Sequence, residues 1–295
     1  MTSDLVFQVL ASGITNGFVY ALVGLGLSVI YRGSNVLNAA QGDFAIVGAM
    51  VTVVMLDRAK LPYAVSCVGG IAAGALLGAL MERLVVRPML RRKATDDSML
   101  LATVGLGFLI AAVILVTVGK APFFLPQFGG EKSVDLGNVT VQRHALILIA
   151  TAVVVVGALA LFYKSTHLGQ AMKAASIDPE GATTIGIDVA AMRTATFVLG
   201  GVIGSVAGIL QTPLIGVSFA MGIAVTLKGV AAAILGGLVN PMGAVAGGLI
   251  LGIAESAAVL TLSSAYQNIA AMALLIVIMI VMPNGIFAGA TRRGG

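Results

Sequence analysis

Apolar positions in this chain neither alternate with polar ones nor stop after a few residues; they run on. Stretches without a charged side chain extend from Leu5 to Tyr31, Leu61 to Met81, Ser98 to Gly119, His144 to Tyr163, Thr194 to Leu227, Gly229 to Ala254 and Ser256 to Thr291. Each reaches or exceeds the ~20 residues that carry a helix across a bilayer. Without alternation a β-barrel is excluded, so the spans are helical, every backbone group being bonded within its own segment. The stretches from Thr194 and from Ser256 are long enough to hold a span plus a loop, a re-entrant piece or a tail, which predicts about eight or nine crossings. The first begins at Leu5 without a basic region before it or a small-residue cleavage site after it, and reads as a retained span.

Polar residues break this pattern most visibly between Ile30 and Gly48, where Arg32, Asn35, Asn38, Gln41 and Asp43 stand between two apolar runs. An ionised carboxylate at the bilayer centre costs ~2.5 to 3.5 kcal/mol on insertion scales, so Asp43, and Glu255 within a later apolar run, are expected to face protein or water. Two readings stay open. Asn35, Asn38, Gln41, Asp43 and Glu255 line a substrate route, or they tie helices together, Asp43 complementing the dipole at the start of a helix through Phe44 to Leu56. Lys228 reads as a snorkelling residue at a span end. Thr196, Ser205, Thr212 and Ser218 are expected to make interhelical hydrogen bonds averaging under ~1 kcal/mol each.

Glycine supplies the second pattern. The chain has 38 glycines, many at close spacing, as in Gly13, Gly17, Gly24, Gly26 and in Gly200, Gly201, Gly204, Gly208. Small residues let helix backbones touch where lipid offers no hydrophobic drive for association. The run Gly236-Gly237-Leu-Val-Asn240-Pro241-Met-Gly243 interrupts an apolar stretch with residues that end helices, and predicts a turn or helix break.

Composition sharpens this picture. The 295 residues are 59% hydrophobic and 10% charged, with a formal net charge of +5, against about a quarter charged in an average soluble domain. The cations sit in short loops and tails rather than on one face, which fits the positive-inside rule better than a nucleic-acid partner. Arg83, Arg87, Arg91, Arg92 and Lys93 place the segment 82–97 in the cytoplasm, as Arg292 and Arg293 place the tail. The segment 120–143, with balanced charge and breakers at Pro122, Pro126 and Gly129-Gly130, falls outside; 164–193 returns to the cytoplasm, and counting back puts the N-terminus outside. Cys67 is alone and forms no internal disulfide.

Several chemistries drop out. With His144, His167 and Cys67 as the only histidines and cysteine, a zinc or haem site is not expected, and no metal ligands are assigned. No Gly-x-x-x-x-Gly-Lys-Ser/Thr run is present to cradle nucleotide phosphate. An aspartyl protease needs two carboxylates sharing a proton, and a serine protease needs a histidine within reach of its nucleophile; neither pattern occurs, so no catalytic residues are assigned.

The longest polar stretch, about 165–192, predicts two short helices with a break. Gly169 to Ser176 favours helix, and Asp178-Pro179-Glu180 supplies an N-cap, a proline at the first helical position and an acid in the first turn. The second helix should stop at Gly186. A short helix on the membrane surface buries no core of its own and needs something to pack on.

Residues Tyr31 to Asp43, together with Ala231-Ala-Ala-Ile-Leu-Gly236-Gly237-Leu-Val-Asn240-Pro241-Met-Gly243 and Met282-Pro283-Asn284-Gly285-Ile286-Phe287, resemble the permease subunits of branched-chain amino acid ABC importers, in order and spacing across nearly the whole chain. The family commonly has Asn-Phe-Ala-His-Gly where this chain has Asn38 to Gly42. The resemblance implies an all-α integral membrane protein, a polytopic bundle of type II-like importer fold, in which residues 1–295 form a single transmembrane permease domain of the bacterial cytoplasmic (inner) membrane. It implies a non-catalytic subunit working by alternating access beside a second permease subunit, two ATP-binding subunits that use ATP and Mg, and an extracytoplasmic solute-binding protein. The coupling segment would be carried by Ala174, Asp178, Pro179, Glu180, Ala182 and Gly186. The alternative from the residues alone is a secondary transporter or channel for small neutral polar solutes such as urea or amides.

Overall fold

The computed structural model describes residues 3–130, 133–135, 140–261, 267–281 and 285–286. Within them the order is α1 (Ser3–Ser34), α2 (Gln41–Asp57), α3 (Tyr63–Met81), a π-helical turn (Glu82–Val86), α4 (Arg87–Arg91), α5 (Asp96–Thr117), β1 (Ser133–Asp135), β2 (Thr140–Gln142), α6 (Arg143–Ser165), α7 (His167–Ile177), α8 (Pro179–Thr184), α9 (Val189–Ile215), a 3-10 turn (Phe219–Met221), α10 (Gly222–Gly236), α11 (Pro241–Thr261) and α12 (Gln267–Val281). The chain is an all-α polytopic membrane protein. Among the described residues, β structure amounts to one short antiparallel hairpin, with Val134 opposite Val141, and an isolated bridge between Phe123 and Val217.

Among the described residues seven helical segments are long and apolar enough to cross a membrane: Phe7–Ser34, Tyr63–Arg91, Asp96–Thr117, Arg143–Ser165, Val189–Ile215, Phe219–Gly236 and Pro241–Thr261. Two further apolar helices, α2 with 17 residues and α12 with 15, are shorter than these. The charge-free stretch Gly229 to Ala254 is not one span. It divides where the Gly-Asn-Pro cluster predicts: α10 ends at Gly236, Gly237 takes a positive φ of 88°, and Pro241 opens α11. Proline fits that first position because its missing N–H has no intrahelical partner there.

Glycine sets how closely the helices pack. Gly13 of α1 abuts Ile253, Gly17 abuts Leu249 and Gly248 abuts Ala21, so α1 and α11 run antiparallel with their backbones touching. Added methyl groups at these positions would collide with main chain, not with a side chain that can swing away. Tyr20 meets Lys228 and Ser28 meets the Leu238 carbonyl, so α10 runs in the same direction as α1. On the other flank, Gly74 and Gly78 of α3 meet Ser205 and Phe197 of α9, and Gly208 of α9 meets Ala45 of α2. The buried centre is filled by Leu22, Leu25, Phe44, Phe197, Leu235 and Leu251.

Helix α3 does not end at Met81. The helix continues through the π-helical turn into α4, carrying Glu82, which the sequence suggests is loop, into a fully buried position. Pro88 explains the turn: it cannot donate to the carbonyl four residues back and its ring crowds that carbonyl, so the helix widens just before it.

The short helices of 165–192 form as expected. Thr166 caps α7 by accepting from Gly169 N, Asp178 caps α8 by accepting from Gly181 N at 2.9 Å, and Asp188 caps α9 by accepting from Ala190 N and Ala191 N. Gly186 ends the second helix with a φ of 87°. The closing motif at 282–287 lies largely outside the described residues, as do Arg292 and Arg293.

Candidate functional site

The site grows from a break in the helical backbone. Asn35 ends α1 in the left-handed conformation, φ 54°, which asparagine tolerates better than most residues. Residues 36–40 are then non-helical, yet Val36, Asn38 and Ala40 are buried. Non-helical backbone inside a membrane bundle needs partners, and side chains supply them. Val36 N donates to Ser34 Oγ at 3.2 Å, Ala39 N to Thr103 Oγ1 of α5 at 3.1 Å, and Ala40 N to Asn38 Oδ1 at 3.0 Å. Gly42 N, one of the orphan donors at the start of α2, bonds Thr226 Oγ1 of α10 at 2.8 Å.

Gln41 anchors this turn: its Nε2 donates to the Gly200 carbonyl of α9 at 3.1 Å, while Asn38 Nδ2 donates to Gln41 Oε1 at 3.4 Å. Both side chains are fully buried, that of Gln41 fitting against Gly26 of α1 and Gly204 of α9. Asp43 follows in the first turn of α2 and is 3% exposed. Its carboxylate lies against Gly107 of α5 on one side and Gly222, the first residue of α10, on the other. Among the described residues no cation and no side-chain donor reaches it. Farther along α2, Ala45 and Ile46 join Thr212, Val217, Met221 and Val225 around a separate space of about 10 Å³, too little for an amino acid.

The structure therefore brings together Asn38, Gln41 and Asp43 and adds Thr103, Thr226, Gly107 and Gly222. Asn35 is exposed and serves as a helix terminator outside this cluster. Glu255 is elsewhere. It sits on α11, fully buried, where Tyr20 Oη of α1 donates to its Oε2 at 2.7 Å and Lys228 Nζ of α10 donates at 3.2 Å. Lys228 Nζ also donates to Tyr20 Oη at 2.9 Å and lies 4.8 Å from the centre of its ring. Lys228 thus does not snorkel to a border; it is drawn inward by a buried carboxylate. Thr226 and Lys228, two residues apart, point to opposite sides of α10, one toward α2 and the other toward α1 and α11.

A third polar cluster escaped sequence reading. Glu82 accepts from Arg87 Nε and Nη2, both at 3.2 Å, from Arg193 Nε at 3.0 Å and from Thr194 Oγ1 at 2.7 Å. In an α-helix residues five apart face different ways; in the π-helical turn Glu82 and Arg87 line up. Pro88 was the only available signal. His144 is likewise fully buried, its Nε2 2.8 Å from the Leu210 carbonyl and its Nδ1 accepting from Phe128 N at 3.3 Å, which assigns the proton to Nε2. Among the described residues no three His, Cys, Asp or Glu side chains converge to hold a metal.

The coupling candidates gather on one surface. Asp178, Pro179, Glu180 and Gly186 are exposed, Ala174 is half-buried on α7 and Ala182 is 3% exposed on α8. Between them Ile177 and Ile185 are 71% and 74% exposed, an apolar surface that the described residues leave uncovered.

Residues 9–283 match the model of a family described as the branched-chain amino acid transport system permease component. The chain belongs to that permease family. It is 30% identical over 293 residues to the high-affinity branched-chain amino acid transport system permease protein LivH of Escherichia coli strain K12, covering 95% of this chain and 94% of that protein. The high-affinity permease protein BraD of Pseudomonas aeruginosa is also 30% identical, over 95% of this chain and 94% of its own length. So is a probable LivH of Methanocaldococcus jannaschii, over 95% and 91%. Among solved structures, PsaBC from Streptococcus pneumoniae in complex with Fab superposes on the permease with a TM-score of 0.52 at 13% identity, covering 96% of this chain and 93% of that one, a likeness of fold.

Proposed function

We propose that this permease is the membrane-spanning subunit of an ATP-driven importer that moves branched-chain, or closely related neutral, amino acids into the cytoplasm by alternating access. The observation that carries the reading is Asp43: a buried carboxylate without a cation, set against two glycines on neighbouring helices. An amino acid brings the missing cation in its ammonium group. The helix start and the Asn38–Gln41 turn beside it offer polar partners.

In this reading residues 1–295 act as one transmembrane domain of the bacterial cytoplasmic membrane, multi-pass, with 165–192 as the coupling segment. A second permease subunit completes the route, an extracytoplasmic binding protein delivers substrate, and two ATPase subunits carry ATP and Mg. The apolar surface at Ile177 and Ile185 supports docking of such a subunit on α7 and α8. The names of the relatives support the substrate class.

The test is co-purification followed by reconstitution. Proteoliposomes holding the chain with its co-purifying subunits should take up radiolabelled leucine only with ATP inside the ATPase compartment and binding protein on the other face. Equal uptake by the chain alone would overturn the importer reading in favour of a secondary transporter or channel.

A further inference from the structure

A cavity of about 490 Å³ opens between the π-helical turn, α6, α7 and α9. Its lining combines Arg83 and Arg87 with a wall of Phe162, Leu168, Met172, Ala195, Val198 and Leu199. Arg87 is committed by its Nε and Nη2 to Glu82, Thr194 and the Ala190 carbonyl, while its Nη1 makes no bond among the described residues. Arg83, turned out of the clamp, is exposed and makes no hydrogen bond or ion pair among them.

Charge bookkeeping favours an anion. Glu82 is taken by Arg87 and Arg193, and Asp188, also in the lining, accepts from Ala190 N and Ala191 N at the start of α9. Three arginines against Glu82 and Asp188 leave the site one positive charge in excess, and Arg83 is the arginine without a partner among the described residues, in the last turns of the helix Tyr63–Arg91 that leads into Arg92 and Lys93. Phe162 of the apolar wall belongs to span α6, and Ala195, Val198 and Leu199 belong to span α9. A soluble anion would use the arginines and leave this wall wet.

We infer that this cavity is a binding site for an anionic phospholipid, its phosphate on Arg83 and Arg87 Nη1 and an acyl chain against Phe162, Val198 and Leu199. Basic cavities between spans at the headgroup level are suited to such lipids, and the one positive charge in excess here contributes a factor of about five in affinity. The inference does not depend on which solute the permease carries, nor on ATP driving it.

The full-length chain, purified with its co-purifying subunits in a mild detergent, is titrated with phosphatidylglycerol or phosphatidylcholine and bound lipid is counted by native mass spectrometry. The wild type should retain phosphatidylglycerol about five-fold better than phosphatidylcholine. Arg83→Gln should remove the preference and Arg83→Lys should restore most of it. Ala195→Phe, which fills the wall, should weaken retention of both lipids, and inorganic phosphate alone should not displace bound phosphatidylglycerol. A wild type without preference, an Arg83→Gln protein that keeps it, unchanged retention in Ala195→Phe, or displacement by inorganic phosphate would each overturn the assignment.

Discussion

Among the described residues of this membrane protein three acids are buried, and they are not alike. Glu82 is gripped by two arginines and a threonine, and Glu255 by a lysine and a tyrosine. Asp43, buried nearly as deeply, has glycines for neighbours. The first two acids bind one helix to another: Glu82 joins the end of α3 to α9, and Glu255 joins α11 to α1 and α10. Asp43 joins nothing, although it stands where α2, α5 and α10 converge. A carboxylate whose partners are supplied by the fold serves stability, whereas in the proposed reading the one without them receives the cation of the solute.

The sharpest way to break this contrast is to remove a partner from a satisfied acid. Glu82→Ala strands Arg193 and part of Arg87 and should destabilise the permease by about 3–5 kcal/mol, as breaking buried pairs does. Reduced yield and a lowered detergent melting temperature would report it, and wild-type behaviour would show the clamp to be ornamental. Lys228→Met should cost somewhat less, about 3 kcal/mol, because Tyr20 still donates to Glu255. Pairing it with Glu255→Gln should recover most of the loss, a non-additivity that a melting-temperature cycle reads directly.

Asp43→Asn makes the opposite demand. Folding should change by less than about 1 kcal/mol, since no ion pair is lost, while uptake falls by about ten-fold or more, the worth of one hydrogen bond to a charged group. Equal losses in melting temperature and uptake would place Asp43 with the structural acids. The smallest effect belongs to the coupling segment. Asp178→Ala removes the cap of α8 and should cost about 1 kcal/mol of local helix stability, visible as faster amide exchange across 179–184 with the melting temperature of the bundle unmoved.

Much of this was legible in the residues. The spans, the break at Gly236 to Pro241 and the cap of α8 follow from rules that act within a few residues: uninterrupted apolarity, proline at a helix start, an aspartate before it. The Asn38, Gln41 and Asp43 cluster was legible as a group, because polar side chains in an apolar chain must be accounted for. What escaped depends on contacts far apart in sequence. Lys228 and Glu255 lie on helices joined by the 237–240 turn, and only the direction of α10 against α1 brings Tyr20 to them. Glu82 stands in a run of arginines that reads as loop, and nothing local says that Pro88 widens the helix enough to turn it inward. Asn35 and Glu255 matched the pattern of route residues by type alone; geometry sent the first to end a helix and the second to bind three together.

The touching backbones of α1 and α11 bear on how such a bundle can move. With Gly13 and Gly17 against Ile253 and Leu249, and Gly252 against Gly13 and Gly17 in turn, there is no layer of side chains between the two helices to shear or repack. They are geared rather than cushioned. Any displacement that reaches α11 through Lys228 and Glu255 must pass to α1 undiminished, and with it to the end of α1, where the turn that presents Asp43 begins.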